Sequence, residues 1–349
     1  MDILSIAIVS ITAFFLLFGA LFGLKRGAVR SAVRLGIVVV AFLISWLCKA
    51  AYVNAVLNFD LGGQTLSGML VESLGEVEAL SGIILPLVEC VLGVILFVAV
   101  FFVLKFLTAI IFFIIGFFLP KGKRGIGTII GLVQGALIAF CICAPLNGLF
   151  CDVGSILSLE FNGEAIMPEE TKEEMKEIGL DFDEYREGFI SKVYSAVGGG
   201  LYNNLASSEK DGVTVSLSGS IEAIETSSKF IDVFMSLTDI ENMDRDEILE
   251  NFKELNDTKN AMSDEGKEML NMLISTVVPA MAGDDSELAE QMSQIFEDMD
   301  FAATDFEHEG YVYVTFLDYM SDENTGNISA KDVVEAFADS TFFLPLLEV

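Results

Sequence analysis

Two ionisable side chains stand inside long apolar stretches of this chain. Lys49 lies near the end of 35–55, and Glu89 lies seven residues into the run that begins at Gly82. A charge inside a membrane-embedded helix is costly, so such residues mark ion or proton paths, buried pairs, or chains that snorkel to the interface. Read as helices, both segments place their charge about 9–10 Å from the same end. Equal depth makes Lys49 and Glu89 candidate partners for an intramembrane pair. The other chemistry-bearing types do not assemble. His308 is the only histidine, and Phe306-Glu307-His308-Glu309-Gly310 lacks the second histidine of a zinc-binding H-E-x-x-H. Cys141-x-Cys143 has no second cysteine pair, and all five cysteines lie in or beside apolar runs. Asp322-x-Asn324 starts like a calcium loop, but its glycine comes one place early and no glutamate closes it. Asp298, Asp300 and Asp305 lack the spacing too. No phosphate-binding loop, nucleophile elbow or dinucleotide fingerprint is present; Gly125-x-Gly127 follows no strand. The expectation is therefore no enzyme, no cofactor and no metal.

The elements around these residues are set by hydropathy. Mean hydropathy is +0.57 and the isoelectric point about 4.1. Both hold because the chain divides near Cys151. Residues 1–151 carry nine Lys/Arg against six Asp/Glu, a net of +3, and the remainder carries −34 of the whole-chain −31. Four apolar runs have the roughly 20 residues needed to cross hydrocarbon: 3–23, 35–55, 82–104 and 125–149. Residues 106–119 are too short for a span, so the long run is divided at Lys105, and 106–119 is read as an interfacial or re-entrant helix; the alternative is one strongly tilted helix from Cys90 to Leu119 with Lys105 near mid-membrane. The first run has no basic flank before it and a basic one after, which suits a retained span better than a cleaved signal.

Two basic clusters orient these spans. Lys25, Arg26, Arg30 and Arg34 follow the first, and Lys121, Lys123 and Arg124 precede the last. Basic loops stay on the cytoplasmic face. That places both termini and the acidic loop 58–81 outside, in a multi-pass protein of the cell membrane. Within that loop, Leu66, Met69, Leu70 and Leu74 suggest a short surface helix. Glycines recur every four residues at Gly19, Gly23 and Gly27, and again at Gly127, Gly131 and Gly135. Each set makes a smooth helix face for close backbone approach, either within one bundle or between subunits.

From 152 to 349 the pattern is amphipathic helix. Pro168-Glu169-Glu170 opens one. Residues 183–197 form another, ended by Gly198-Gly199-Gly200. Further helices are read at 221–237, 245–255, 265–278 and 286–299, and Ser329-x-x-Asp332 caps a last one. Residues 213–217 and 311–316 alternate in a way that suits strands. The fold class is thus all-α: a four-helix transmembrane bundle (1–151) followed by a mainly helical, acidic extracytoplasmic domain (152–349). Its charge disfavours nucleic acid and anionic lipid as partners of that domain.

Three blocks of the first 150 residues resemble the colicin V production (CvpA) family of bacterial inner-membrane proteins. They are Asp2-Ile3-Leu4, Gly23-x-x-Arg26-Gly27-x-x-Arg30, and Arg124-Gly125-Ile126-Gly127-x-x-x-Gly131-x-x-x-Gly135. The resemblance implies a multi-pass, four-helix protein associated with toxin production or export, and it carries no catalytic residues. Lys123 stands where many members have an acidic residue, and the acidic 198 residues lie outside the resemblance. Three functions are open at this point: a scaffold or assembly factor for secretion or envelope maintenance, an oligomeric channel or transporter, and a sensor with an outer ligand domain. The partners expected are the lipid bilayer, further copies of the chain or other membrane proteins, and an extracellular partner of unspecified kind.

Overall fold

A computed structural model describes residues 2–349 except 61, 74–80, 117, 121, 159, 162–163, 166, 211–212, 237–244, 281–298, 321–327 and 344–349. The described chain is mostly helical and divides into two compact units. One comprises 1–73, 85–158 and 166–208; the other comprises 74–84, 159–165 and 209–349. The expected division at Cys151 is corrected on this point. The last long helix continues past it, and residues 166–208 pack with the apolar helices.

The first unit is built on α1 (Ile3–Arg26), α2 (Ala28–Leu47), α3 (Lys49–Leu57), α4 (Leu66–Ser73), α5 (Ser81–Ile115, of which Leu85 onward belongs here) and α6 (Arg124–Leu157). Asp2 caps α1, its Oδ1 accepting from the Ser5 amide at 2.6 Å. Gly27 ends α1 with φ +78°, and α2 begins on the next residue. A side chain at that φ is strained, so glycine makes this reversal possible in a single residue. The second span accordingly starts well before residue 35 and ends at Cys48, where α3 takes over.

α1, α2, α5 and α6 are long and apolar enough to cross a membrane. α6 is the central one: 56% of its most apolar window is buried, against 17–28% for the other three. The outer faces carry exposed Phe14, Leu17, Leu21, Phe106 and Phe113. An apolar surface of this extent is stable against lipid and not against water. The two glycine sets meet each other. A methyl group on Gly19, Gly23 or Gly131 would overlap the facing backbone carbonyl of Gly131, Gly127 or Gly19, respectively. Gly135 meets Phe15 in the same way.

Two expectations about the long run change. α5 passes through Lys105 without a break and ends at Ile115, so 106–119 is not a separate interfacial or re-entrant helix. The lysine is accommodated because its Nζ lies 4.3 Å from the Phe15 ring centre and 5.7 Å from that of Phe102. Aromatic faces offset part of the cost of a buried cation.

After α6 come strands β1 (Glu160–Phe161) and β2 (Glu164–Ala165), then α7 (Glu169–Glu177), α8 (Phe182–Glu187) and α9 (Phe189–Leu205). Gly188 interrupts the helix expected over 183–197, and α9 then runs straight through Gly198-Gly199-Gly200. Gly198 is a contact residue and not a terminator: a methyl there would strike the Ala144 side chain on α6.

The second unit holds β4 (Val213–Ser216), which follows β3 (Ser207–Lys210), and helices α10 (Leu217–Ser236), α11 (Arg245–Ala261), α12 (Asp264–Ala280), α13 (Phe306–Met320) and α14 (Ala330–Ala338). Its core centres on Phe230, whose ring lies 5.5–6.0 Å from those of Phe301, Phe306 and Phe342. Residues 311–316 are helical and not a strand: they lie within α13, which buries Phe306, Glu309 and Gly310 at helical spacing. The Ser329/Asp332 capping box is present. The helix read at 286–299 and the Asp322 loop fall on or across residues outside the described set.

Gly131→Leu is expected to destabilise the detergent-solubilised protein by about 1–3 kcal/mol or more, as overpacking does. Gly36→Leu, at a glycine with nothing within 4 Å, is expected to be near neutral. Thermal unfolding followed through Trp46, the only tryptophan, measures both; equal melting temperatures would refute the intrachain glycine contact.

Candidate functional site

The first unit has a polar seam where α8 and α9 lie against α6, α1, α3 and α5. It is built from side chains that the hydropathy pattern leaves inconspicuous. Tyr185, fully buried on α8, donates to Asn147 Oδ1 at 2.6 Å. Asn147 Nδ2 donates to Ser195 Oγ at 3.1 Å. The Tyr202 hydroxyl reaches Asp152 Oδ2 at 2.5 Å, its ring lying over Gly148, where any side chain would overlap it. Cys151 Sγ lies 3.1 Å from Ser191 Oγ, and Thr12 Oγ1 lies 2.5 Å from the Tyr194 hydroxyl. A helix crossing an apolar partner needs such contacts, because a buried polar group without one costs roughly 1–3 kcal/mol.

Lys49 and Glu89 sit at the end of this seam, close enough for their charges to attract each other, and each is hydrogen-bonded to residues 204–208. Lys49 Nζ donates to the carbonyls of Asn204 at 2.6 Å, Leu205 at 3.3 Å and Ser207 at 2.6 Å. Asn204 and Leu205 close α9, whose final carbonyls have no partner within the helix. The ammonium therefore caps α9 at the negative end of its dipole. Trp46 Nε1 adds a bond to Asn204 Oδ1 at 2.6 Å, and Gly93 on α5 lets the Leu205 carbonyl come close. Glu89 accepts from Ser208 Oγ at 2.5 Å. Equal depth in the sequence reflects a shared neighbour, residues 204–208.

The basic residues collect at the opposite end of the long helices. Lys25 and Arg26 end α1, Arg30 and Arg34 lie in the first two turns of α2, and Lys123 and Arg124 start α6. Lys121 lies outside the described residues. The two clusters are tied together: the Lys123 carbonyl accepts from the Ala28 amide at 3.1 Å, and the Leu119 carbonyl accepts from Arg30 Nε at 2.8 Å. Gly122, at φ +69°, packs against Val29 and makes the loop tight enough for this.

Sequence reasoning missed Tyr185, Tyr202, Asn147 and Asp152. The available signal was Asn147 and Asp152 in the last turns of an apolar helix, with tyrosines two and three helices later. It also missed Glu309. This residue is buried and accepts from Ser340 Oγ at 2.5 Å and from the amides of Thr341 and Phe342 at 2.8 and 3.2 Å. Among the described residues, no three His, Cys, Asp or Glu side chains are arranged to hold a metal. No family model, curated protein or solved structure matches the chain.

Lys49→Met removes the cap and leaves three carbonyls short of a donor. Hydrogen bonds to charged groups are worth about 1.5–3 kcal/mol. The expected result is faster amide hydrogen exchange across the last turn of α9, read by mass spectrometry, with exchange in the middle of α6 unchanged. Unaltered exchange at 201–208 would rule out the capping role.

Proposed function

We propose that this chain is a multi-pass membrane scaffold or assembly factor, in which the apolar helices anchor and orient the acidic half as a partner-binding surface. One observation carries the reading: the groups from which a pore would be built are already spent inside the chain. The glycine faces contact each other, Lys49 caps α9, and Glu89 accepts from Ser208. This counts against the channel alternative, which relied on those same residues. The resemblance to the CvpA family points the same way and suggests a place in toxin production, secretion or envelope maintenance at the bacterial inner membrane. In this reading the basic end faces the cytoplasm, because Lys and Arg are retained there. The acidic half and both termini then lie outside, where further copies of the chain or other membrane proteins would engage them.

Full-length protein in liposomes tests the reading against transport. Ion and proton flux is expected to equal that of empty liposomes, for wild type and Glu89→Gln alike. A flux that Glu89→Gln abolishes would overturn the scaffold in favour of a channel. Orientation has its own test in intact cells, with single cysteines at Ser263 and Lys123 in a cysteine-free chain. A membrane-impermeant maleimide is expected to label the first and spare the second; the reverse pattern would put the acidic half in the cytoplasm.

A further inference from the structure

The basic end contains a groove of about 290 Å³, lined by Arg26, Arg30 and Arg34 on one side and by Ala109, Phe112, Phe113 and Gly116 on the other. Ala109, Phe112 and Phe113 share one face of α5, and Gly116 follows directly after its end at Ile115. Three guanidinium groups around one groove repel one another, and a bound anion would relieve that repulsion. The sequence has no Asp or Glu between Asp2 and Asp60, and none between Glu89 and Asp152. Asp2, at the far end of α1, is about 36 Å away by helical rise. Among the described residues the three arginines make no ion pair. Their one hydrogen bond runs from Arg30 Nε to the Leu119 carbonyl. Arg26 lies over the Phe22 ring and Arg34 over the Phe112 ring, at 4.7 and 5.4 Å. These stacking contacts hold the guanidinium planes and leave their N–H edges unspent.

We infer that this groove binds the phosphate of an anionic phospholipid headgroup. Guanidinium groups match phosphate oxygens in bidentate geometry. Basic pockets between spans at the membrane surface are suited to this chemistry. The volume lies at the lower edge of ligand pockets, roughly 300–1,000 Å³, which fits a headgroup and excludes a whole lipid. The acyl chains have a path: Phe113 is 72% exposed, and Phe106, Ile110 and Ile114 continue the apolar surface along α5. A free phosphate ion would use the arginines and leave that surface idle. The inference rests on the helices spanning a membrane and not on the scaffold reading; lipid selectivity would hold equally for a channel.

The test uses full-length protein, delipidated in detergent and titrated with phosphatidylglycerol or phosphatidylcholine under native mass spectrometry. Wild type is expected to retain phosphatidylglycerol selectively. The double variant Arg26→Gln/Arg34→Gln is expected to lose on the order of tenfold or more of that affinity. Lys25→Gln/Arg124→Gln removes the same charge outside the groove and is expected to change affinity by less than about threefold. Trp46 fluorescence melting confirms that each variant is folded, and Arg34→Lys gives a second, milder probe in which charge is kept and the fork is lost. Equal losses in the two double variants would overturn the site, since bulk charge would then explain binding. Equal retention of the two lipids would overturn it as well. Displacement of the lipid by millimolar inorganic phosphate, with no preference for the acylated form, would reassign the groove to a free anion and contradict the inference.

Discussion

The approach of α1 to α6 is the contact on which the first unit depends. Gly19, Gly23, Gly127, Gly131 and Gly135 bring the two backbones together where a side chain would overlap a carbonyl, and Gly27 lies against Gly127. In lipid there is little hydrophobic force between helices, so close van der Waals packing of this kind must supply the association. α6 becomes the axis of the unit as a result. α2 follows α1 through the single-residue reversal at Gly27 and packs on α6 from the other side. The same arrangement brings residues 25–34 and 119–124 into hydrogen-bonding contact, although they are separated by some ninety residues of chain.

Charge inside the apolar region is met by hydrogen bonds and aromatic faces. Lys49 is neutralised by the carbonyl ends of α9, Glu89 by a serine hydroxyl, and Lys105 by two aromatic faces. Each solution uses a partner already fixed by the fold, which limits the entropy lost in forming it. The two charges at the seam also explain why residues 166–208 belong with the spans. α9 carries a negative dipole end that needs a cation, and Lys49 is the cation within reach. The tyrosine, asparagine and aspartate contacts along α6 set the position of α9 lengthwise.

Much of this was legible in the sequence. The apolar spans, the glycine registers, the short helix at 66–73 and the Ser329 box all follow from local rules of length, capping and periodicity. The errors came where tertiary partners override local signals. Lys105 looked like an interface marker because a lysine in hydrocarbon is costly, and the rings of Phe15 and Phe102 were invisible along the chain. Gly198-Gly199-Gly200 looked like a stop because glycine weakens helices, but Gly198 is needed for contact with Ala144. Tyr311–Phe316 alternates because one helix face is half buried, which imitates a strand over six residues. A domain edge at Cys151 follows from charge, and charge does not report that tyrosines on α8 and α9 reach back to α6.

The claim that α9 is seated on α6 as part of the membrane unit is tested most directly by a disulfide. Cys151 Sγ and Ser191 Oγ are 3.1 Å apart, close enough for a bond of about 2.05 Å after a small side-chain movement. With Cys48, Cys90, Cys141 and Cys143 replaced by alanine, Ser191→Cys is expected to crosslink to Cys151 in native membranes under mild oxidation. Val197→Cys, on the exposed face of α9, is expected to stay reduced. A crosslink at 191 alone supports the seam; no crosslink at 191, or equal crosslinking at both positions, would mean that α9 does not sit there.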